Sequence, residues 1–246
     1  LKVSNWDTEL VEFESLSATS ICYNPNMEPQ FLVVAEKVRQ VLSESSSGHD
    51  YYHAERVFKN ALQIQAEEHA GDRYVIGVAA LVHDVCRPWE KETGKLHFGE
   101  EALERIGVLL EEVAIDSAAI PLILEIVRFH DIYDWDESEE KSIELQIVQD
   151  ADRLDAIGAL GIARTFAFGG ANGLVMYEPG ENLNFEAAFV EDPSHRTTTV
   201  AHFYEKLLKL HTNMNTATGQ ALGAVRHERM EQFLKDFFAE WNVEKL

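Results

Sequence analysis

Basic side chains are scarce in this chain. Its 246 residues carry 21 Lys and Arg against 43 Asp and Glu, a formal net charge of −22. So acidic a balance excludes binding of long nucleic acid or of an anionic membrane through a basic surface. It leaves room for small anionic substrates, because a bound cation reverses the local field. Cysteine is nearly absent: Cys22 and Cys86 show no framework spacing, which points to a reducing, cytoplasmic compartment. No apolar run approaches the roughly 18 residues that span a bilayer. Leu1 to Asn26 lacks the charged segment and apolar core of a secretory signal. Repeats are lacking, the only low-complexity tract is Ser43 to Gly48, and no stretch alternates convincingly as a strand would.

What is there is an ordinary globular balance, 46% apolar and 26% charged, on a chain long enough for a sizeable core. Residues 1–26 read as an N-terminal extension, disordered or foreign to the natural chain. A single domain follows over 27–246. Its apolar period is helical almost throughout, so the expected class is all-α. Helices are predicted over Phe31–Leu42, Tyr51–Glu68 with Asp50 as N-cap, Tyr74–Val85 closed by Pro88, Glu100–Leu110 and Ala118–His130. Arg87–Leu96 and the acidic stretch Asp131–Lys141 read as loops. One long helix is expected over Ile143–Ala167, then a glycine-rich irregular insertion over Phe168–Pro193, then helices over Val200–Lys209 and Gly219–Trp241.

Several of these helices carry an ionisable residue on or beside the buried stripe: His53, His83 with Asp84, His130, and the pair Asp150 and Asp152. Alone, a histidine on an apolar face is more often a hydrogen-bonded core residue, and an aspartate near a helix start is usually a cap. Together they are harder to dismiss, because burying several ionisable groups around one core is costly unless something compensates. Imidazole nitrogen and carboxylate oxygen are good ligands for divalent first-row metals, and such an ion would compensate.

His53, then His83-Asp84, then Asp152 within Gln149-Asp150-Ala151-Asp152-Arg153-Leu154 resemble the H…HD…D signature of the HD-domain metal-dependent phosphohydrolases. The surroundings extend the likeness: His53-x-x-Arg56-Val57 opens a helix, Ala80-Leu81-Val82-His83-Asp84 ends one, and His202 to Leu210 followed by Met214-Asn215-Thr216 closes the pattern. The chain resembles the bacterial YedJ/YpgQ-like subgroup from about Gln30 to Glu240. The resemblance implies an HD-domain helical bundle holding one divalent ion (Mn, Mg, Co, Ni, Fe or Zn), or occasionally two. It implies hydrolysis of nucleoside triphosphates, often deoxy forms, to monophosphate and pyrophosphate by a metal-activated water. Carried over, His53, His83, Asp84 and Asp152 are the ligands, with Asp150 competing for the last place. His83 and Asp84 form the catalytic pair, Asp84 doubling as base partner to the water.

The subgroup's glycine and polar residue after the His-Asp pair are replaced here by Val85-Cys86-Arg87-Pro88. Arg87 is therefore either a bidentate phosphate contact or a surface residue. His97 and His130 are candidates for substrate contacts or for ligands of a second ion. Arg56 and Arg153 lie near the motifs; Arg56 is a candidate substrate contact, and for both a salt bridge to the surrounding acids is the plainer role. Lys206 and Lys209, expected on one helix face, would reach a triphosphate tail or stay solvated. The glycine-rich insertion lacks the spacing and lysine of a P-loop and reads as a lid or base-selecting loop. The expected partner is a small phosphorylated substrate, in first place a nucleotide, with a homodimer as the candidate assembly. Alternatives are a nucleoside monophosphate phosphatase, a cyclic-nucleotide phosphodiesterase, a metal-binding regulatory protein without turnover, and a di-iron oxygenase.

Overall fold

The computed structural model describes residues 27–43, 48–132, 141–185 and 197–243. The N-terminal extension at 1–26 lies outside them, as does most of the acidic loop before Lys141. Among the described residues ten α-helices follow one another: α1 (Pro29–Val41), α2 (Tyr51–Glu68), α3 (Arg73–Val82), α4 (Arg87–Thr93), α5 (Glu100–Glu112), α6 (Ile120–Phe129), α7 (Ile143–Asp155), α8 (Gly158–Ala171), α9 (Ala201–Glu205) and α10 (Ala217–Trp241). A 3₁₀ segment, Leu207–Asn213, links the last two. Among the described residues there is no strand, and the all-α expectation holds.

The centre is α3. Every residue from Val75 to Val82 is buried, because the helix is apolar all round rather than on one stripe. It packs against α1, α2, α6 and α7, so whatever leaves its C-terminal end emerges in the middle of the molecule. The Asp72 carboxylate fixes its start by accepting the N–H groups of Tyr74 (2.8 Å) and Val75 (3.1 Å). α3 stops at Val82, earlier than the apolar pattern suggests, and His83 and Asp84 stand in the turn that follows.

Four expectations are corrected. Ile143–Ala167 is not one helix: the chain breaks at Gly158, which takes φ +76°, a left-handed conformation open to glycine. A Cβ there would meet Cβ and Cγ of Arg226 at 3.0 Å, so α10 crosses close over the break. Gly169 and Gly170, expected in the irregular insertion, belong to α8, and irregular chain begins at Asn172; residues 186–196 lie outside the described set. The loop after Cys86 contains α4, started by Pro88 in its first turn. Lys206 and Lys209 do not share one helix, since α9 ends at Glu205, Lys206 takes φ −129° and ψ −60°, and Lys209 lies in the 3₁₀ segment.

Candidate metal centre

Three elements aim side chains at one point beneath the end of α3. Asp50 accepts the backbone N–H of His53 at 2.9 Å, setting the first turn of α2 and turning His53 onto the buried stripe shared with Val57, Ala61 and Ile64. His83 and Asp84 arrive from the turn after α3, and α7 brings Asp152. His53 Nε2 lies 3.2 Å from His83 Nε2, 3.4 Å from Asp84 Oδ2 and 3.4 Å from Asp152 Oδ1. His83 Nε2 is 3.5 Å from Asp84 Oδ2 and 3.9 Å from Asp152 Oδ1. Such separations suit donor atoms that each sit about 2.1 Å from a shared ion.

The rings are oriented for that purpose. His83 Nδ1 donates to the carbonyl of Ala80 at 2.8 Å and His130 Nδ1 to that of Val127 at 2.6 Å, while His53 Nδ1 faces Asp155 Oδ2 at 2.7 Å. A carbonyl can only accept, so the Nδ1 proton is fixed and the neutral ring presents its Nε2 lone pair inward. This is the arrangement that prepares histidine to ligate.

A second cluster adjoins the first through Asp84. Its Oδ1 is 3.2 Å from His97 Nε2 and 3.6 Å from His130 Nε2, those two nitrogens being 3.5 Å apart. Asp131 Oδ2 lies 3.9 Å from His97 Nε2. The carboxylate of Asp84 thus serves one cluster with each oxygen. At the solvent side His49, whose side chain is 39% exposed, reaches Asp84 Oδ2 with Nδ1 at 2.6 Å.

Burial would depress the His53 imidazole, but Asp155 and Asp84 outweigh it and push it up to about 9. Burial acting on His83 is not offset by its neighbours, and its imidazole is pushed down to about 4. His97 follows His53: burial lowers it, hydrogen bonds to Asp84 and Glu90 prevail, and it rises to about 9. Burial raises the Asp84 carboxyl, yet Arg87 and the surrounding imidazoles hold it well below the usual carboxylate range.

The guanidinium groups are taken up by carboxylates. Arg56 donates to both oxygens of Asp155, at 2.7 and 3.0 Å, and Arg164 joins them at 2.6 Å, so Arg56 meets the plainer of its two expected roles. Arg87 is not a surface residue. It donates to Asp84 Oδ1 (3.0 Å), Glu90 Oε2 (3.0 Å) and Asp131 Oδ2 (2.9 Å). Arg153 is buried, with Nη1 donating to the Asn213 carbonyl and lying 3.8 Å from Asp150.

Asp150 turns away from the cluster. Its carboxylate accepts the backbone N–H of Asn215 (2.8 Å) and of Thr216 (2.8 Å), the Asn215 side-chain amide (2.9 Å) and the Thr216 hydroxyl (2.8 Å). It is an anion bound at the N-terminus of α10, and Gly219 leaves it room. Asp152, and not Asp150, is the aspartate of α7 beside His53 and His83. Sequence reasoning passed over His49, Glu90 and Asp131, and gave Asp155 and Arg164 no role. The only available signal was the position of Asp155 one turn beyond Asp152 on the same helix.

The HD domain family matches residues 50–157, the stretch that holds His53, His83, Asp84 and Asp152. Over 200 residues the chain is 37% identical to the uncharacterized protein YpgQ of Bacillus subtilis, spanning 80% of this chain and 87% of that protein. It belongs to the HD-domain family. An HD-superfamily hydrolase from Bacillus thuringiensis superposes with a TM-score of 0.65 at 38% identity, over 87% of this chain and 98% of its own. Bacillus subtilis YpgQ, solved in complex with ADP, gives 0.60 at 32% identity over 84% and 97%. The HD domain is a metal-dependent phosphohydrolase fold, and the His/Asp clusters of this HD protein are groups that could hold a divalent metal. No helix among the described residues is long and apolar enough to cross a membrane.

Proposed function

We propose that this protein hydrolyses nucleoside triphosphates, deoxy forms included, to the monophosphate and pyrophosphate, with His53, His83, Asp84 and Asp152 holding a divalent ion. The observation that carries the reading is the convergence of His53 Nε2 and His83 Nε2 with Asp84 Oδ2 and Asp152 Oδ1, each imidazole nitrogen lying 3.2–3.9 Å from the other three atoms. The ADP held by the related YpgQ supports a nucleotide as the ligand class. When bound, such an ion supplies Lewis-acid polarisation of a phosphoryl oxygen and a lowered pKa for water.

The protein's own groups do the positioning. Asp155 and the Ala80 carbonyl fix the tautomers of His53 and His83. Asp84, buried and held as a carboxylate, is both ligand and proton acceptor for the attacking water. Water adds to the α-phosphorus, the bond from that phosphorus to the bridging oxygen breaks, and pyrophosphate leaves with the negative charge. His49, at the exposed edge of the cluster, is a candidate contact for an entering phosphate chain. The second cluster of His97, His130 and Asp131, sharing Asp84, offers ligand atoms to a second ion in the same site.

The test is a product assay with Mn²⁺, Mg²⁺, Co²⁺ or Ni²⁺ and a panel of nucleoside mono-, cyclic and triphosphates, beside the Asp84→Ala variant. Pyrophosphate from triphosphates, lost in the variant, is the expected result. Orthophosphate from monophosphates, or opening of cyclic nucleotides, would replace this substrate assignment. No metal-dependent product from any of them would overturn hydrolysis and turn attention to a regulatory role or to oxygen uptake with iron.

A further inference from the structure

The two clusters that share Asp84 differ in one respect. The groups that face one another among His53, His83 and Asp152 are imidazoles and a carboxylate, whereas the second cluster contains a guanidinium. Arg87 reaches Asp84 Oδ1 with Nε at 3.0 Å and Asp131 Oδ2 with Nη2 at 2.9 Å. These are the carboxylate oxygens nearest to His97 Nε2. Its third arm, Nη1, is tied to Glu90 Oε2 at 3.0 Å, and Glu90 Oε2 lies 3.1 Å from His97 Nδ1. Arg87 is brought there by the short helix α4, whose first residue it is, one turn beyond Asp84.

We propose that Arg87 is an internal competitor for the second cation: its guanidinium occupies the carboxylates of Asp84 and Asp131, so the pocket of His97, His130 and Asp131 takes a divalent ion far more weakly than the pocket of His53, His83 and Asp152. The inference rests on the metal reading above and concerns only the inequality of the pockets. A guanidinium stays charged at every working pH, so the competition is permanent rather than switched. Its physical basis is twofold. Both carboxylates would have to exchange a planar, hydrogen-bonded cation for the incoming ion, and any ion that entered beside the guanidinium would be repelled across a few ångströms of low-dielectric protein. On the Oδ2 face of Asp84 the neighbours are imidazoles, His49 Nδ1 at 2.6 Å and His53 Nε2 at 3.4 Å, which have a lone pair to offer an ion, whereas a guanidinium has none.

The experiment is a stepwise binding titration of the chelator-stripped protein with Mn²⁺ and with Co²⁺, read by calorimetry, by elemental analysis after desalting and by the coupled Mn²⁺ resonance of a dinuclear pair. Wild type should retain one ion per chain, with a second bound at least about tenfold more weakly. Arg87→Gln should tighten the second step about tenfold or more while leaving the first within a few-fold, and should retain two ions after desalting. Arg87→Lys, which keeps charge but cannot span the carboxylates, should fall between. Should Arg87→Gln prove too unstable to titrate, Arg87→Ala with added guanidinium salt replaces it. Weakening of the second step by guanidinium, against no effect of tetramethylammonium, is the expected result. Equal affinity at both steps in wild type, or a second step in Arg87→Gln unchanged or weaker, would overturn the inference while leaving the first site standing. Failure of the wild type to bind any ion would overturn the metal reading, and this inference with it.

Discussion

Asp155 grips His53 by the nitrogen that faces away from the cluster, its Oδ2 lying 2.7 Å from Nδ1. That carboxylate also receives Arg56 and Arg164, so it is itself held from two sides and cannot rotate with the ring. Asp155→Asn is therefore expected to lower metal affinity about 10–100-fold, although Asp155 touches no ion. A competition titration against a chromophoric chelator measures this. Wild-type affinity in the variant would show that the orientation of His53 does not depend on Asp155.

Asp150 and Asp152, two residues apart on α7, should behave oppositely. Asp152→Asn is expected to fold with near wild-type stability in the absence of metal and to lose metal on dialysis. Asp150→Ala is expected to cost about 2–4 kcal/mol, because the buried N–H groups of Asn215 and Thr216 lose their acceptor, and to retain its ion when folded. Urea unfolding together with elemental analysis separates the two. The reverse pattern would exchange their roles.

The histidines predict a pH dependence for the metal-free protein. His53 and His97, pushed up to about 9, contribute stability that is fully present below the ordinary value of 6.5 and is lost as pH rises through about 9. Its melting temperature should fall across that interval, and the rise in melting temperature on adding metal should grow across it, as the ion takes the place of a departing proton. His83, pushed down to about 4, acts in the opposite sense, costing stability as pH falls below 6.5. Calorimetric melts with and without chelator check this, and a flat metal-free profile between 6.5 and 9 would contradict it.

Cys86 adjoins the site but is sealed from it. Burial pushes its thiol up to about 12, and its sulfur lies 3.7 Å from the Ala102 carbonyl. In a Cys22→Ser background a thiol reagent at pH 8 should find nothing to react with in the folded protein and one equivalent after unfolding in guanidinium chloride. Reaction of the folded form would show that α4 opens readily.

Much of the site could be read from the sequence, and the rest could not for definite reasons. α2 was legible to the residue because Asp50 is a strong cap and Val57, Ala61 and Ile64 keep the helical period. His53, His83, Asp84 and Asp152 were legible because their spacing within apolar stripes matches a known signature. The break at Gly158 was hidden, since Ala156-Ile157-Gly158-Ala159-Leu160 keeps its apolar character through a backbone turn that only the φ angle reveals. His49 escaped because it precedes the cap and periodicity says nothing of loop residues. The choice between Asp150 and Asp152 depended on what the turn before α10 brings, and Asn215 and Thr216 lie more than sixty residues further along the chain.

The HD match ends at residue 157, but the physical unit does not. Arg226 donates to the Leu154 carbonyl and lies 3.3 Å from Asn60 Oδ1, Glu68 accepts the Thr218 N–H at 2.6 Å, and Asp150 takes its hydrogen bonds from residues 215 and 216. A fragment trimmed to the recognised motif would strand a buried anion and uncover the flank of α7, so it should express as an aggregate. Supplied as a separate polypeptide, residues 197–243 should restore solubility to residues 27–185. The shortest autonomous piece of this protein is thus defined by the helix that lies outside its signature.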